Sequence, residues 1–407
     1  MSATHVEPGE LGGRRKVERR QADSSLPPTD SVCRVAILTP PGRGAVASVA
    51  VAGPQATSCV DLFFRTVTGR PLGEFPCGRI LFGRWQGAGP AGEEVVVCRR
   101  TPQEVEIHCH GGRLAARTIV DSLVGRGARE ISWQDWATRQ TAGRIEAEAR
   151  IALAAARTER TAAILLDQWR GALRSSLAQA VAHLRRGEPA AAALILQTLQ
   201  QRADVGLHLA AAWRVVLTGR PNVGKSSLIN AVLGFERCIV HAEPGTTRDV
   251  ITAQTALEGW PVELADTAGV RDGTDEIEVA GVRRARQQLE QADLVVLVFD
   301  TSSPWTKADD AAVAEWPDAL VTHNKCDLAP GLPQARPPGL TVSAATGTGI
   351  DTLSHEIARR LVPQPPAPDA AVAFTHAQIQ VVQAAQTGLA ASHNDEALSM
   401  LTRLLAE

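Results

Sequence analysis

The chain lacks a long apolar run, a hydrophobic leader and a strong net charge. No stretch approaches the roughly 18–20 apolar residues that would span a bilayer. Residues 1–30 are polar and contain no signal core, so we expect a disordered tail and a cytoplasmic protein without membrane contact. The formal net charge is only −2, so no basic field favours nonspecific nucleic-acid binding and any RNA contact must be local.

The seven cysteines lack the paired C-x-x-C spacing of a zinc knuckle or redox motif. They are odd in number and scattered, which indicates reduced thiols rather than a disulfide framework. The cysteines are Cys33, Cys59, Cys77, Cys98, Cys109, Cys238 and Cys326. A reducing cytosol is the compartment that this usage favours.

The 407 residues, 44% of them hydrophobic, are enough for two or three domains with real cores. Residues 31–127 alternate short apolar runs with Gly/Pro turns, which predicts a small α+β domain with a helix over 114–124. Residues 128–210 are expected to form the first part of a helical domain, in which the alanine-rich stretch from Thr141 to about Leu209, interrupted once near 187–189, predicts a helical hairpin. One buried stripe is expected from Leu166, Trp169, Leu173, Leu177, Val181 and Leu184.

Residues 211–363 alternate short apolar strands with helices, which predicts a parallel sheet covered on both faces. The expected strands are Arg214–Thr218, Val262–Ala265, Leu294–Asp300, Leu320–His323 and Thr341–Ser343. A proline-rich linker follows, and residues 364–407 are rich in Ala, Gln and Leu, as in helices. The α/β unit is therefore expected to be inserted into a helical domain.

The run Gly219-Arg-Pro-Asn-Val-Gly-Lys-Ser226 follows a strand and precedes a helix, as in a phosphate-binding P-loop. Backbone N–H groups of such a loop converge on the β-phosphate. Lys225 is expected to neutralise β- and γ-oxygens, and the Ser226 hydroxyl to hold Mg²⁺. The chain is therefore predicted to bind a nucleoside triphosphate.

Four further sequence elements follow the phosphate loop, and their order predicts that the bound nucleotide is GTP. Thr247 of Pro244–Asp249 can complete the Mg²⁺ shell, and Asp266-Thr-Ala-Gly269 can act on Mg²⁺ and sense the γ-phosphate. Asp327 of Asn324–Asp327 can accept from two guanine donors that adenine lacks, and Ser343–Ala345 can donate to the guanine O6. The expected GTP contacts are Asn222, Val223, Gly224, Lys225, Ser226, Ser227, Thr246, Thr247, Asp266, Gly269, Asn324, Lys325, Asp327, Ser343 and Ala344.

The residue after Asp266–Gly269 is Val270, where Ras-type GTPases place a water-orienting glutamine. Valine cannot orient water, so another group must do so. The segment Asp275-Glu-Ile-Glu278 offers carboxylates for that role, although acids at a helix start are also favoured as solvated charge.

The chain resembles the tRNA modification GTPase family along most of its length. Besides the GTPase elements, the resemblance is carried by Thr39–Gly44, Val51–Pro54 and Val105–Gly112. It implies an N-terminal domain that dimerises and binds a folate one-carbon donor, then a helical domain with an inserted G domain. Candidate folate contacts lie around Arg43, His110 and Gly111. His108 and His110 share a strand face, but no third metal ligand is evident.

The resemblance also implies the catalytic groups. Family members use K⁺ in place of an arginine finger, which can stabilise charge in the transition state. Asn222 matches the K⁺-binding asparagine of the phosphate loop, so the expected catalytic residues are Asn222, Lys225 and Glu278, the last positioning the attacking water. The K⁺ ligands implied are Asn222, His241, Glu243 and Thr246.

Departures from the family pattern leave the final function open. Members end in Cys-x-Gly-Lys, whose cysteine is needed for tRNA modification, whereas this sequence ends at Leu404-Leu-Ala-Glu407. Ile131–Trp136 and Arg144–Ala149 also differ from the family's helical-domain motifs. The leading expectation is wobble-uridine modification of tRNA with a flavin-dependent partner protein. The alternatives are a divergent paralogue acting as a GTP-controlled switch and a ribosome-assembly GTPase, which would need a basic RNA-binding module after the G domain.

Overall fold

The computed structural model describes residues 32–40, 44–87, 92–141, 143–235, 252–266, 286–328 and 336–406. The chain divides into two compact units, residues 1–136 and residues 137–407. In the part of the chain that is described, none of the helices is both long enough and apolar enough to cross a membrane.

The first unit is built on a seven-stranded sheet with the order β3-β4-β5-β6-β2-β1-β7. Its elements are β1 (Arg34–Ile37), β2 (Val46–Ala52), α1 (Ala56–Asp61), β3 (Phe64–Thr66), β4 (Ile80–Trp85), β5 (Glu93–Thr101), β6 (Glu104–His110), α2 (Arg113–Val124) and β7 (Arg129–Glu130). Neighbouring strands are antiparallel except β1 and β7. In β6, Val105, Ile107 and Cys109 are buried, since alternate residues face the core. The helix expected over 114–124 is confirmed as α2.

The second unit begins with helices. They are α3 (Trp133–Arg139), which crosses the division, α4 (Arg144–Ala155), α5 (Glu159–Trp169), α6 (Ala172–Arg185), α7 (Pro189–Gln201) and α8 (Ala203–Leu207). The prediction of a single buried stripe across residues 166–184 was wrong. Gly171 adopts φ 102° and separates α5 from α6, and Trp169 is 41% exposed. Only the α6 part of the stripe lies in the core, because the chain changes direction at this left-handed residue.

A six-stranded sheet follows, with the order β13-β12-β11-β8-β10-β9. Its elements are β8 (Trp213–Thr218), α9 (Lys225–Phe235), β9 (Thr252–Leu257), β10 (Trp260–Asp266), β11 (Leu294–Asp300), α10 (Lys307–Glu315), β12 (Leu320–Asn324), β13 (Leu340–Thr341) and α11 (Ile350–Leu361). The expectation of a parallel sheet needs one correction, because the edge strand β9 runs antiparallel to β10. The two form a hairpin through Glu258 and Gly259, which a parallel crossover would not allow.

Two helices close the chain, α12 (His376–Ala390) and α13 (Asn394–Ala406), and they pack on α7 and α6 respectively. Gln168 of α5 is fully buried and joins the segments before and after the α/β sheet. Its side-chain amide donates to the Ala370 carbonyl at 3.0 Å and accepts from the Val372 N–H at 3.0 Å. Hydrophobic residues of both helical segments belong to one buried cluster with the sheet.

Candidate nucleotide site

The phosphate loop connects β8 to α9 and depends on unusual backbone conformations. Asn222 has φ 61° and Gly224 has φ 93°, both in the left-handed region. Gly219 lies so close to the carbonyl of Val298 on β11 that a Cβ atom would collide with it. Glycine at positions 219 and 224 allows the loop backbone to follow its tight course between two strands and a helix.

Lys225 begins α9 and is only 5% exposed. Its ammonium donates to the carbonyls of Gly219 and Arg220 at 3.0 and 3.1 Å. The ammonium therefore lies inside the loop, at the N-terminus of a helix that itself favours anions. This geometry suits a phosphate group.

Ser226 and Asp266 come together from different elements. The Ser226 hydroxyl donates to a carboxylate oxygen of Asp266 at 2.5 Å, and Asp266 is 2% exposed at the end of β10. Hydroxyl and carboxylate oxygens are the ligand chemistry that Mg²⁺ prefers. The pair expected to act on Mg²⁺ is thus assembled beside the phosphate loop.

Asn324, at the end of β12, links the loops expected to hold the phosphates and the base. Its side chain is 1% exposed. The amide donates to the Val223 carbonyl at 2.9 Å, and its oxygen accepts from the Ala344 N–H at 3.1 Å. The Asn324 side chain thereby fixes the spacing between the two loops.

Lys325 and Asp327 complete the expected base site. Lys325 adopts φ 65°, and its ammonium donates to the Asn222 carbonyl and to Asp300, both at 2.7 Å. Asp327 accepts from the Ser343 hydroxyl at 2.6 Å, which orients its carboxylate. Of the expected site residues, those that the structure describes at these strand ends therefore lie close together.

Asp300 is a site residue that the sequence did not reveal. Burial alone would raise the pKa of Asp300, but hydrogen bonds from Lys325 and Ser302 outweigh it and hold the pKa below its ordinary value. The carboxylate is therefore charged at neutral pH and pairs with Lys325. An Asp at the end of an apolar strand was the available signal, but nothing in sequence ties it to a lysine in another loop.

The remaining expected site residues divide into two groups. Val223 is buried in the loop, and Ser227 lies on the exposed side of α9. Several expected residues lie outside the described part of the chain: Arg43, His241, Glu243, Thr246, Thr247, Gly269 and Glu278.

The histidines of β6 in the first unit have protein partners. His108 shares a hydrogen bond with the Ser48 hydroxyl at 2.9 Å, and His110 pairs with Glu93 at 2.6 Å. Among the residues that the structure describes, no group of three or more His, Cys, Asp or Glu side chains could hold a metal ion. Gly111 packs against the Gly44 backbone so closely that a Cβ atom would collide with it.

Comparisons with known proteins identify a GTPase domain and relatives that align with most of the chain. A family model described as "50S ribosome-binding GTPase" matches residues 214–325. Curated relatives called tRNA modification GTPase MnmE align with most of the chain. The Chloroflexus aurantiacus protein is 36% identical over 371 residues, covering 80% of this chain and 81% of its own. The Geobacillus thermodenitrificans protein is 34% identical over 371 residues, with coverages of 79% and 80%.

Another relative with the same name, from Parasynechococcus marenigrum, is 34% identical over 379 residues and covers 82% of both chains. Among solved structures, an Aquifex aeolicus Era variant bound to GDP and aluminium fluoride is 26% identical. That alignment covers 42% of this chain and 66% of that chain, with a TM-score of 0.30.

Proposed function

The chain belongs to the tRNA modification GTPase MnmE family, and from this premise we infer that it is a GTP-hydrolysing enzyme that modifies wobble uridines in tRNA. The observation that carries the GTPase assignment is the joining of three loops around one site. Asn324 connects the phosphate loop to the Ser343–Ala345 loop, while Ser226 meets Asp266. Such an arrangement fixes the distance between a triphosphate and a base, as nucleotide recognition requires.

We assign the described residues the following roles in GTP binding. Lys225 and the backbone of the phosphate loop hold the β- and γ-phosphates, while Ser226 and Asp266 hold Mg²⁺ directly or through water. Bound Mg²⁺ would neutralise charge on the phosphate oxygens. Asp327 reads the guanine N1–H and exocyclic amine, and the Ser343 hydroxyl keeps the Asp327 carboxylate in place for those donors.

Hydrolysis needs a group that replaces the water-orienting glutamine, because Val270 cannot act on water. Glu278 is proposed for that role. K⁺ is proposed as the electrostatic catalyst, held by Asn222 with His241, Glu243 and Thr246. The left-handed conformation of Asn222 supports this assignment in part, since strained backbone clusters at functional sites.

We also propose a domain organisation, which the packing within the second unit supports. The G domain is proposed to be inserted into a helical domain, with residues 128–210 before it and 364–407 after it. The buried hydrogen bonds of Gln168 to both Ala370 and Val372 support the proposal, because they join the two helical segments directly. The first unit is proposed to dimerise and to bind a folate one-carbon donor around Arg43, His110 and Gly111.

The function is tested by mass spectrometry of wobble uridines in tRNA from cells with and without this gene. We expect a 5-substituted uridine to be lost without the gene and restored by the wild-type chain. Asp327→Asn should not restore it, because an amide cannot accept from both guanine donors. Arg286→Ala is the matched control, since this side chain is 73% exposed and pairs with Glu290 on the surface.

Two results would contradict the proposal in different ways. An unchanged uridine profile without the gene would favour the GTP-controlled switch over a modification enzyme. Restoration by Asp327→Asn would mean that guanine reading by Asp327 is not needed. The flavin-dependent partner would be sought by co-purification only after loss of the modification had been seen.

A further inference from the structure

The segment from the last residue of β11 to the first turn of α10, residues 300–309, contacts both nucleotide loops, although none of its residues belongs to a GTPase motif. We call this segment the bridging loop. At its start, the Thr301 hydroxyl and backbone N–H both donate to the Asn324 carbonyl at 2.9 Å. Asp300 pairs with Lys325, whose ammonium also reaches the phosphate loop at Asn222. The first half of the bridging loop thus supports the base-reading loop.

The second half of the bridging loop is anchored independently. Asp309 is 2% exposed, and its carboxylate accepts from the Thr306 N–H at 2.9 Å and hydroxyl at 2.8 Å. This capping box begins α10 and satisfies the first donors of the helix. The other oxygen of Asp309 lies 3.2 Å from the Arg220 guanidinium of the phosphate loop.

Arg336 holds the first half of the bridging loop. Its guanidinium donates to the carbonyls of Asp300 at 2.9 Å, Thr301 at 3.1 Å and Ser303. It also lies over the Trp305 ring, with its central carbon 5.7 Å from the ring centroid. A planar guanidinium can address several carbonyls and an aromatic face at once, which a lysine ammonium cannot.

We propose that Arg336 is a positioning residue for nucleotide binding, acting through the bridging loop and the Asp300–Lys325 pair. Among the residues that the structure describes, the hydrogen-bond partners of Arg336 include none of the expected nucleotide-binding residues. The pairing of β11 with β12 and the Thr301 donors still hold the backbone at Asp300. Without the three hydrogen bonds from Arg336, however, the turn that follows is held less firmly, and the Asp300 carboxylate positions Lys325 toward Asn222 less well. The phosphate loop keeps its own contact with the bridging loop, between Arg220 and Asp309. Loss of Arg336 should therefore weaken nucleotide binding more than it slows the chemical step. This inference rests on the proposed guanine site.

The test is a double-mutant cycle measured with a fluorescent GDP analogue and by steady-state GTP hydrolysis. The variants are Arg336→Ala, Asp300→Asn and the double variant. Because Arg336 contacts the backbone carbonyl of Asp300, Asp300→Asn leaves that hydrogen bond intact and removes only the carboxylate charge. We expect each single change to raise the Kd for GDP roughly tenfold, with kcat at saturating GTP within about threefold of wild type.

The double variant distinguishes positioning from general support of the fold. If Arg336 acts through Asp300, the double variant should bind GDP about as well as either single variant. Three results would each overturn the inference. The increases in Kd of the two single variants could multiply in the double variant, the Kd of Arg336→Ala could be unchanged, or kcat could fall without a change in KM. Arg336→Lys should give an intermediate Kd and serves if Arg336→Ala unfolds. Arg286→Ala is the control for loss of an arginine.

A separate arm distinguishes failure of this inference from failure of the proposed site. Asp327→Asn should shift preference from guanine toward xanthine nucleotides. If that shift occurs while Arg336→Ala binds GDP like wild type, only the positioning role is wrong. If Asp327→Asn keeps its preference for GTP, the base-site assignment fails and the positioning role fails with it.

Discussion

Replacing Asn324 by alanine should both destabilise the protein and weaken nucleotide binding. The side chain is 1% exposed and makes two hydrogen bonds between separate loops, to the Val223 carbonyl and from the Ala344 N–H. Alanine removes both bonds and leaves two backbone groups without partners. A buried unpaired group costs about 1–3 kcal/mol. Val223 is buried, whereas Ala344 is half-buried and partly open to water, so we expect a total loss of about 2–4 kcal/mol.

The loss is measured by urea unfolding of the nucleotide-free protein, repeated with saturating GDP. GDP at 100 times its Kd adds about 2.7 kcal/mol to the stability of a protein that binds only when folded. Asn324→Ala should gain less than wild type at the same GDP concentration, because the two loops are no longer held at the spacing that the ligand needs. The difference between the two unfolding curves therefore reports binding separately from folding.

The matched control is Asn230→Ala, which deletes the same atoms on the exposed side of α9. We expect its stability to change by no more than about 0.5 kcal/mol. The reasoning is refuted if Asn324→Ala costs no more than Asn230→Ala and gains the full stabilisation from GDP. That result would mean that the two loops hold their spacing without this side chain.

The remaining predictions concern the helical segments, pH and the catalytic ion. Gln168→Leu should cost about 2 kcal/mol or more in urea unfolding, because it removes the partner of the buried Val372 N–H and of the half-buried Ala370 carbonyl; a cost no larger than that of the exposed control Gln197→Leu would argue against joined helical segments. Burial alone would lower the pKa of His208, but its hydrogen bonds with Asp293 and the Asp204 backbone, together with the charges of both aspartates, outweigh burial and raise the pKa. The resulting stabilisation is complete below the ordinary pKa of 6.5 and is lost as pH rises through the higher folded-state pKa. Wild type should therefore lose stability relative to His208→Gln above pH 6.5, and parallel curves would contradict this. Replacing K⁺ by Na⁺ should slow GTP turnover about tenfold or more, and equal rates would remove the cation from catalysis. Glu278→Ala should lower kcat while leaving GDP affinity nearly intact, and an equal loss of affinity would indicate a structural role.

Local motifs made the core of the site predictable from sequence. The run Gly219–Ser226 needs particular residue types within one short loop, and Asn324–Asp327 directly follows a buried strand. Each motif lies at the carboxyl end of a parallel strand, so the sheet itself brings the loops together. The strand ends were predicted closely for the same reason, since buried parallel strands are continuous apolar runs.

The parts that were mispredicted or unseen depend on local backbone conformation or on tertiary contacts. The helical stripe across 166–184 keeps its periodicity through the break, and only the left-handed conformation of Gly171 ends α5 and redirects the chain. The antiparallel strand β9 alternates weakly and is specified by its pairing with β10. Arg336 reaches backbone carbonyls 33 to 36 positions earlier in the chain, and a contact with a carbonyl leaves no residue-type signal at the other end.

The hydrogen bonds around the phosphate loop show why the site can be both well ordered and receptive to a nucleotide. Lys225 donates to two neutral carbonyls, and Ser226 donates to Asp266. A phosphate offers Lys225 charged acceptors, which form hydrogen bonds roughly twice as strong as neutral ones. Mg²⁺ would take the oxygens of both Ser226 and Asp266, so their mutual bond would be replaced rather than left unpaired. These groups thus have protein partners that they can exchange for stronger ligand contacts, while Asn324 keeps the surrounding loops at a fixed distance during the exchange.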